Sequence, residues 1–167
     1  MSAPFVAIVM GSDSDLPVME ASFDVLKKFG IPFEVRITSA HRTPAAAKAF
    51  VEDADKRGCA AFIAAAGMAA HLAGAVSATT VKPVIGVPMN ASLDGLDALL
   101  STVQMPAGIP VATVAIGKAG AKNAAYLAAQ IIAVSDPALA EALREERADN
   151  ARAIEDKNAA LQAQLKG

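Results

Sequence analysis

The 167 residues contain two histidines, and His41 is followed directly by Arg42 in the stretch SAHRTP, residues 39–44. An imidazole with an ordinary pKa of about 6.5 can give or take a proton near neutrality. A guanidinium offers a planar fork that fits phosphate or carboxylate. A second stretch, GSDSD at 11–15, brings the hydroxyls of Ser12 and Ser14 and the carboxylate of Asp15 into a tight turn that leads into a helix. The hydroxyls and backbone amides of such a turn suit a phosphate. Carboxylates repel one, so Asp15 is read as a helix cap or as an acceptor for sugar hydroxyls, and Ser14 and Asp15 can equally be caps alone. His71, at an alanine-rich helix start, is read as structural or as auxiliary to the site.

Each of these stretches follows a run that reads as a strand. FVAIVM (5–10) is apolar throughout, as a strand buried on both faces must be. FEVRI (33–37), AAFIAAA (60–66), PVIGVP (83–88) and PVATVAI (110–116) are the other four. Helices are expected between them. One has Pro17 in its first turn and ends at Gly30; another has Thr43 as N-cap, Pro44 first and Gly58 at its end. Others are expected near 69–78, near 95–103 and over AGAKNAAYLAAQIIAVS. The alternation predicts right-handed βαβ units and a parallel sheet covered on both faces. Ligands of such sheets bind beyond the carboxyl ends of the strands. There GSDSD, SAHRTP, AGMAAH and PMNAS would meet.

Composition narrows the function classes. Apolar residues make up 54% and charged residues 19%, which excludes a disordered chain. The net charge of −2 comes without a basic stripe, so no nucleic-acid partner is expected. GCAAFIAAAGMAAHLAGAVSATTV is uncharged but lacks the Leu, Ile and Phe density of a membrane span, and a buried strand-turn-helix is expected there. MSAPFVAIVM carries no basic segment or cleavage pattern, so no signal peptide is expected. A single cysteine, Cys59, fits a reducing cytoplasm and is expected to pack as a small apolar group. Between Ala60 and Gly117 the only charges are Lys82, Asp94 and Asp97, so other subunits are expected to cover part of that surface. Residues from Asp136 hold 12 of the 32 formal charges, in a long helix that either lies solvated on the domain or packs on a neighbour. One α/β domain over 1–135 and a helical extension over 136–167 are expected.

Sharper motifs are missing. There is no GxGxxG with a following acid, no P-loop, no nucleophile elbow and no cluster with metal-ligand spacing. A phosphoacceptor signalling domain would use Asp13, Asp15 and Lys118, but its third strand would end in an aspartate, and this one ends in AAAG.

Four stretches taken together, VAIVMGSDSD, SAHRTP, AAHLAG and PVIGVP…LDGLDALLSTVQMPAGIPVATVAIG, resemble the PurE family, the N5-carboxyaminoimidazole ribonucleotide mutases of purine synthesis. The resemblance runs from about residue 5 to 135 and takes in GAKNAAYLAAQI. It implies a three-layer αβα sandwich with a parallel, flavodoxin-like sheet, assembled as an octamer, with a small ribonucleotide as substrate and no metal or cofactor. The implied reaction moves a carboxylate from the exocyclic nitrogen to ring carbon C4. By motif position Ser12, Asp15 and Arg42 would bind the ribose phosphate, and His41 would be the acid–base residue. Ser39, Ala66, Gly67 and Leu72 would line the pocket around base and carboxylate. The family often shows GAGGAAHLPG where this chain has AAAGMAAHLAG, so Ala65, Met68 and Ala73 stand for Gly, Gly and Pro. Those changes bear on whether the chain is a mutase or belongs to the sister branch that carboxylates aminoimidazole ribonucleotide with free CO₂. The QMPAGIPVATVAIG segment favours the mutase. Outside the enzymes, two readings remain: a non-catalytic domain that binds a phosphorylated ligand, and an assembly module.

Overall fold

A computed structural model describes residues 4–166. The chain forms two compact units, one ending at Ile132 and the other beginning at Ala133. In the first unit five parallel strands, β1 (Phe5–Met10), β2 (Phe33–Ile37), β3 (Cys59–Ala66), β4 (Val84–Pro88) and β5 (Ala112–Thr113), pair in the order β2-β1-β3-β4-β5. That is the flavodoxin-like order, with its switch point between β1 and β3. Helices α1 (Leu16–Lys28), α2 (Pro44–Lys56), α3 (Leu72–Ser77), α4 (Leu96–Val103) and α5 (Lys118–Ala133) connect and cover the strands.

Burial explains the strand compositions. Every residue of β1 is buried. Phe5, Ala7 and Val9 share one cluster with Phe50, Val51 and Ala54 of α2 and Leu72, Ala73 and Val76 of α3. The alternation of a strand sends Val6, Ile8 and Met10 to the opposite face. Phe29, just past α1, meets Tyr126 of α5 edge-on with ring centroids 5.9 Å apart. The sheet is thus the middle layer of an αβα sandwich. Cys59 opens β3 inside the core, where burial pushes its thiol up to about 11, so it packs as a small apolar group and is no nucleophile. Edge strand β2 is tied to α2 by Arg57, whose guanidinium donates to both carboxylate oxygens of Glu34 at 2.6 and 2.7 Å and to Asp53 at 2.7 Å.

Gly30 and Gly58 follow α1 and α2 at φ +65° and +91°, the left-handed turn that glycine tolerates. Two expected boundaries move inward. β5 spans two residues where 110–116 were expected: Pro110 brings no N–H, and beyond Thr113 only the amides of Val114 and Gly117 reach Gly86 and Pro88 of β4. α3 begins at Leu72 because Ala69 to His71 are taken up by a turn. The uncharged stretch 58–81 is strand, turn and helix as expected, and no helix among the described residues is long and apolar enough to cross a membrane.

The second unit is essentially one helix, α6 (Pro137–Lys166), in which the Asp136 carboxylate accepts the Leu139 amide at 3.0 Å. Leu139 and Leu143 are its buried residues, and Ile154, Leu161 and Leu165 are exposed.

Candidate active site

A cavity of about 590 Å³ opens at the carboxyl ends of β1, β2 and β3. All ten residues singled out from the sequence line it: Ser12, Ser14, Asp15, Ser39, His41, Arg42, Ala66, Gly67, His71 and Leu72. Gly11, Ala40, Met68, Ala69 and Ala91 complete the wall. The lobe after β3 is alanine, glycine, methionine and leucine, while the polar groups come from the loops after β1 and β2 and from His71.

The loop after β1 is built by a reciprocal cap. Ser12 is the N-cap, its Oγ accepts the Ser14 amide at 3.2 Å, and the Asp15 carboxylate accepts the Ser12 amide at 3.2 Å. The Ser14 hydroxyl donates to Ser12 Oγ at 2.9 Å. Asp15 is only 9% exposed, and burial holds its carboxyl above the ordinary aspartate range. The Ser12 amide opposes that rise and the nearby Asp13 adds to it. Capping and cavity lining are therefore both true of Ser12 and Asp15, whereas Ser14 lines the cavity and is not the expected cap: its amide is the one capped, by Ser12.

The loop after β2 is wired by two hydroxyls. Ser39 Oγ accepts the amides of His41 at 3.3 Å and Arg42 at 3.1 Å. Thr43 Oγ1 accepts the Ser39 amide at 2.9 Å. Thr43 does occupy the N-cap of α2, but its hydroxyl makes no cap bond and reaches backward, a correction to the expected role. Pro44 follows it and offers no amide, and the Ser39 amide is the donor within reach. Ala40 packs against the core, which anchors the turn that presents His41 and Arg42.

The loop after β3 carries Gly67, Met68 and His71. A Cβ on Gly67 would lie 3.1 Å from that of Ala91, so this wall is closed by a close approach only glycine permits without a shift. Met68 adopts φ +56°, a left-handed conformation that costs a side chain about 1–2 kcal/mol. This is one of the positions where the PurE resemblance expects glycine. Ser101 of α4 supports the turn: its Oγ accepts the Ala70 amide at 3.0 Å, with the carbonyls of Asp97 at 2.7 Å and Met68 at 3.2 Å within reach of its proton. Nothing in the sequence marked Ser101, since its partners lie about thirty residues away. Ala91 carries no chemical signature either; it is legible only as part of the loop after β4.

His41 and His71 meet in the cavity. Nε2 of His41 lies 2.9 Å from Nδ1 of His71, with the rings nearly perpendicular at 84°. Among the described residues no group of three His, Cys, Asp or Glu side chains is placed to hold a metal ion.

Known proteins carry the same arrangement of sequence. The family model described as AIR carboxylase matches residues 5–153. The N5-carboxyaminoimidazole ribonucleotide mutase of Pyrococcus horikoshii is 53% identical over 155 residues, covering 92% of this chain and 86% of that protein. The phosphoribosylaminoimidazole carboxylase of Saccharomyces cerevisiae is 58% identical over 137 residues, 81% of this chain but only 24% of that protein. Among solved structures, Treponema denticola PurE superimposes with a TM-score of 0.86 at 32% identity, covering 95% of this chain and 98% of that one. The matched region holds the whole cavity wall and all five strands, and on that footing the chain belongs to the AIR carboxylase family.

Proposed function

We propose that this chain is an N5-carboxyaminoimidazole ribonucleotide mutase of purine biosynthesis, an isomerase that carries carboxylate from the exocyclic nitrogen of its substrate to ring carbon C4. The observation that carries the reading is the single cavity in which an acid–base imidazole, a guanidinium, a serine-rich turn and a small apolar lobe converge. Its volume of about 590 Å³ lies within the range of small-ligand sites. The mutase relative matches along nearly its full length, whereas the carboxylase name belongs to a protein of which this chain spans about a quarter.

Arg42 and the hydroxyls of Ser12 and Ser14 hold the phosphate, near the N-terminal end of the helical run that begins at Asp13. Asp15 accepts from the ribose hydroxyls, and those donors offset the desolvation that raises its pKa. Remote binding energy then fixes the imidazole ring beside His41. Protonated His41 donates to the exocyclic nitrogen, the N–CO₂⁻ bond breaks, and CO₂ is released into the lobe formed by Ala66, Gly67 and Leu72. The electron-rich C4 attacks that CO₂. The neutral imidazole of His41 removes the C4 proton and returns to its starting state, so protons and carbon both balance. Small apolar walls exclude water and retain CO₂ between the two steps.

The same cavity with free CO₂ as co-substrate is the carboxylase alternative, and Ala65, Met68 and Ala73 bear on that choice. The reading includes a cytoplasmic place and an octameric assembly; the exposed apolar residues of 60–117 support burial between subunits. His41→Asn tests the core of it. Turnover should fall by about 10²–10⁴-fold with substrate affinity kept within a few-fold. Unchanged turnover would leave a phospho-ligand-binding domain.

A further inference from the structure

The His41–His71 contact has a consequence beyond lining a cavity. His71 comes from the loop after β3, a different strand from the one that presents His41, and its backbone is fixed on both sides. Its amide donates to Ala69 O at 2.9 Å, and its carbonyl accepts the Ala75 amide of α3 at 3.0 Å. Behind it Ser101 holds the Ala70 amide. His41 by contrast sits at the tip of a turn, exposed, and among the described residues its ring hydrogen-bonds only to His71 Nδ1, at 2.9 Å. Two imidazole nitrogens at that distance share one proton: one donates and the other accepts. The bond therefore holds the plane of the His41 ring, couples its tautomer to that of His71, and leaves Nδ1 of His41 as the nitrogen not engaged by His71. The other charged side chains on the wall are Arg42, next to His41 in the chain, and Asp15, across the cavity on the loop after β1; neither is hydrogen-bonded to either ring.

We infer that His71 is a positioning residue for the carboxylate transfer, acting through its Nδ1 on His41 Nε2 and not on the substrate. The inference rests on the proposed role of His41. His71→Ala should lower kcat by about 10–100-fold, the range seen when the group orienting a metal-bound histidine is lost, with KM changed less than threefold. His71→Asn should recover most of that loss, because the Asn amide places a donor or acceptor near the position of Nδ1. Nitrogen-15 NMR of the wild-type enzyme, which needs no variant, should show neutral His41 in one tautomer, and in His71→Ala a mixture of two.

Three results would overturn the inference: an unchanged kcat in His71→Ala, a loss confined to KM, or His71→Asn as poor as His71→Ala. A mixed tautomer in the wild type would do the same. If the wild-type protein turned over no N5-carboxyaminoimidazole ribonucleotide at all, the functional reading would fail while the tautomer measurement still decided the role of His71.

Discussion

Asp15 shows what a binding site costs the chain that carries it. A carboxylate buried to 9% exposure with one amide partner is worse solvated than in the unfolded chain, and its pKa rises. The folded state then holds the proton more tightly than the unfolded one. The contribution of Asp15 to stability is fully present below the ordinary aspartate pKa of about 3.9 and is lost as pH rises through the raised value. Asp15→Asn, which keeps an acceptor for the Ser12 amide, should therefore melt higher than wild type at pH 7.5, with the gap closing near pH 4 in calorimetry. The same variant should bind the ribonucleotide more weakly. A melting point lower at pH 7.5 would mean that Asp15 stabilises the fold as an anion. For Arg42, the phosphate role predicts that Arg42→Lys raises KM by about tenfold, near 1.4 kcal/mol, with kcat nearly unchanged, since charge survives and the fork does not. At this scale the sequence was informative wherever chemistry needs a rare residue type: two histidines in the whole chain, and both are on the cavity wall. It was silent on Ser39 and Thr43 as the hydroxyls that shape the His41 turn, because a hydroxyl reveals its partner only when the backbone has folded.

Among the elements, the loop after β3 departs most from what periodicity can announce. β1 and α2 were legible because an unbroken apolar run, or a Pro44 start with a Gly58 stop, has one economical structure. The segment 69–71 reads as helix by composition and folds as turn, held by Ser101 from an element about thirty residues away. Ser101→Ala removes an acceptor from the Ala70 amide and should destabilise the protein by about 1–3 kcal/mol, the cost of a lost partner for a buried polar group. Because that turn carries His71, kcat should fall too while KM holds. Denaturant unfolding and steady-state kinetics on one preparation check both. Met68→Gly relieves the left-handed strain at φ +56° but frees the unfolded chain, so the unfolding free energy measured in urea should change by less than about 1 kcal/mol. A large destabilisation would mean that the Met68 side chain itself holds the wall.

For the whole molecule, half of the large exposed apolar residues fall within 60–117, the stretch with three charges. Leu93, Leu96, Leu100 and Val103 recur at helical spacing and are 75%, 53%, 49% and 44% exposed. A face of that kind fits burial between subunits. Leu96→Glu with Leu100→Glu should yield a smaller species than wild type in light scattering, and an unchanged mass would remove α4 from the interface. The parallel sheet covered on both faces followed from the alternation of elements and the handedness of their connections, and the flavodoxin-like order came with the PurE resemblance. Which surface is shared with other copies does not follow from periodicity, since a helix face apolar toward a neighbour and one apolar toward its own sheet read alike.

The central claim is carboxylate transfer within one cavity. The direct measurement follows ultraviolet absorbance of the C4-carboxylated product. The purified protein is given N5-carboxyaminoimidazole ribonucleotide and, separately, aminoimidazole ribonucleotide with modest bicarbonate. The account predicts fast conversion of the first and slow conversion of the second. Efficient use of the second alone would contradict it and make this chain a carboxylase that takes CO₂ from solution.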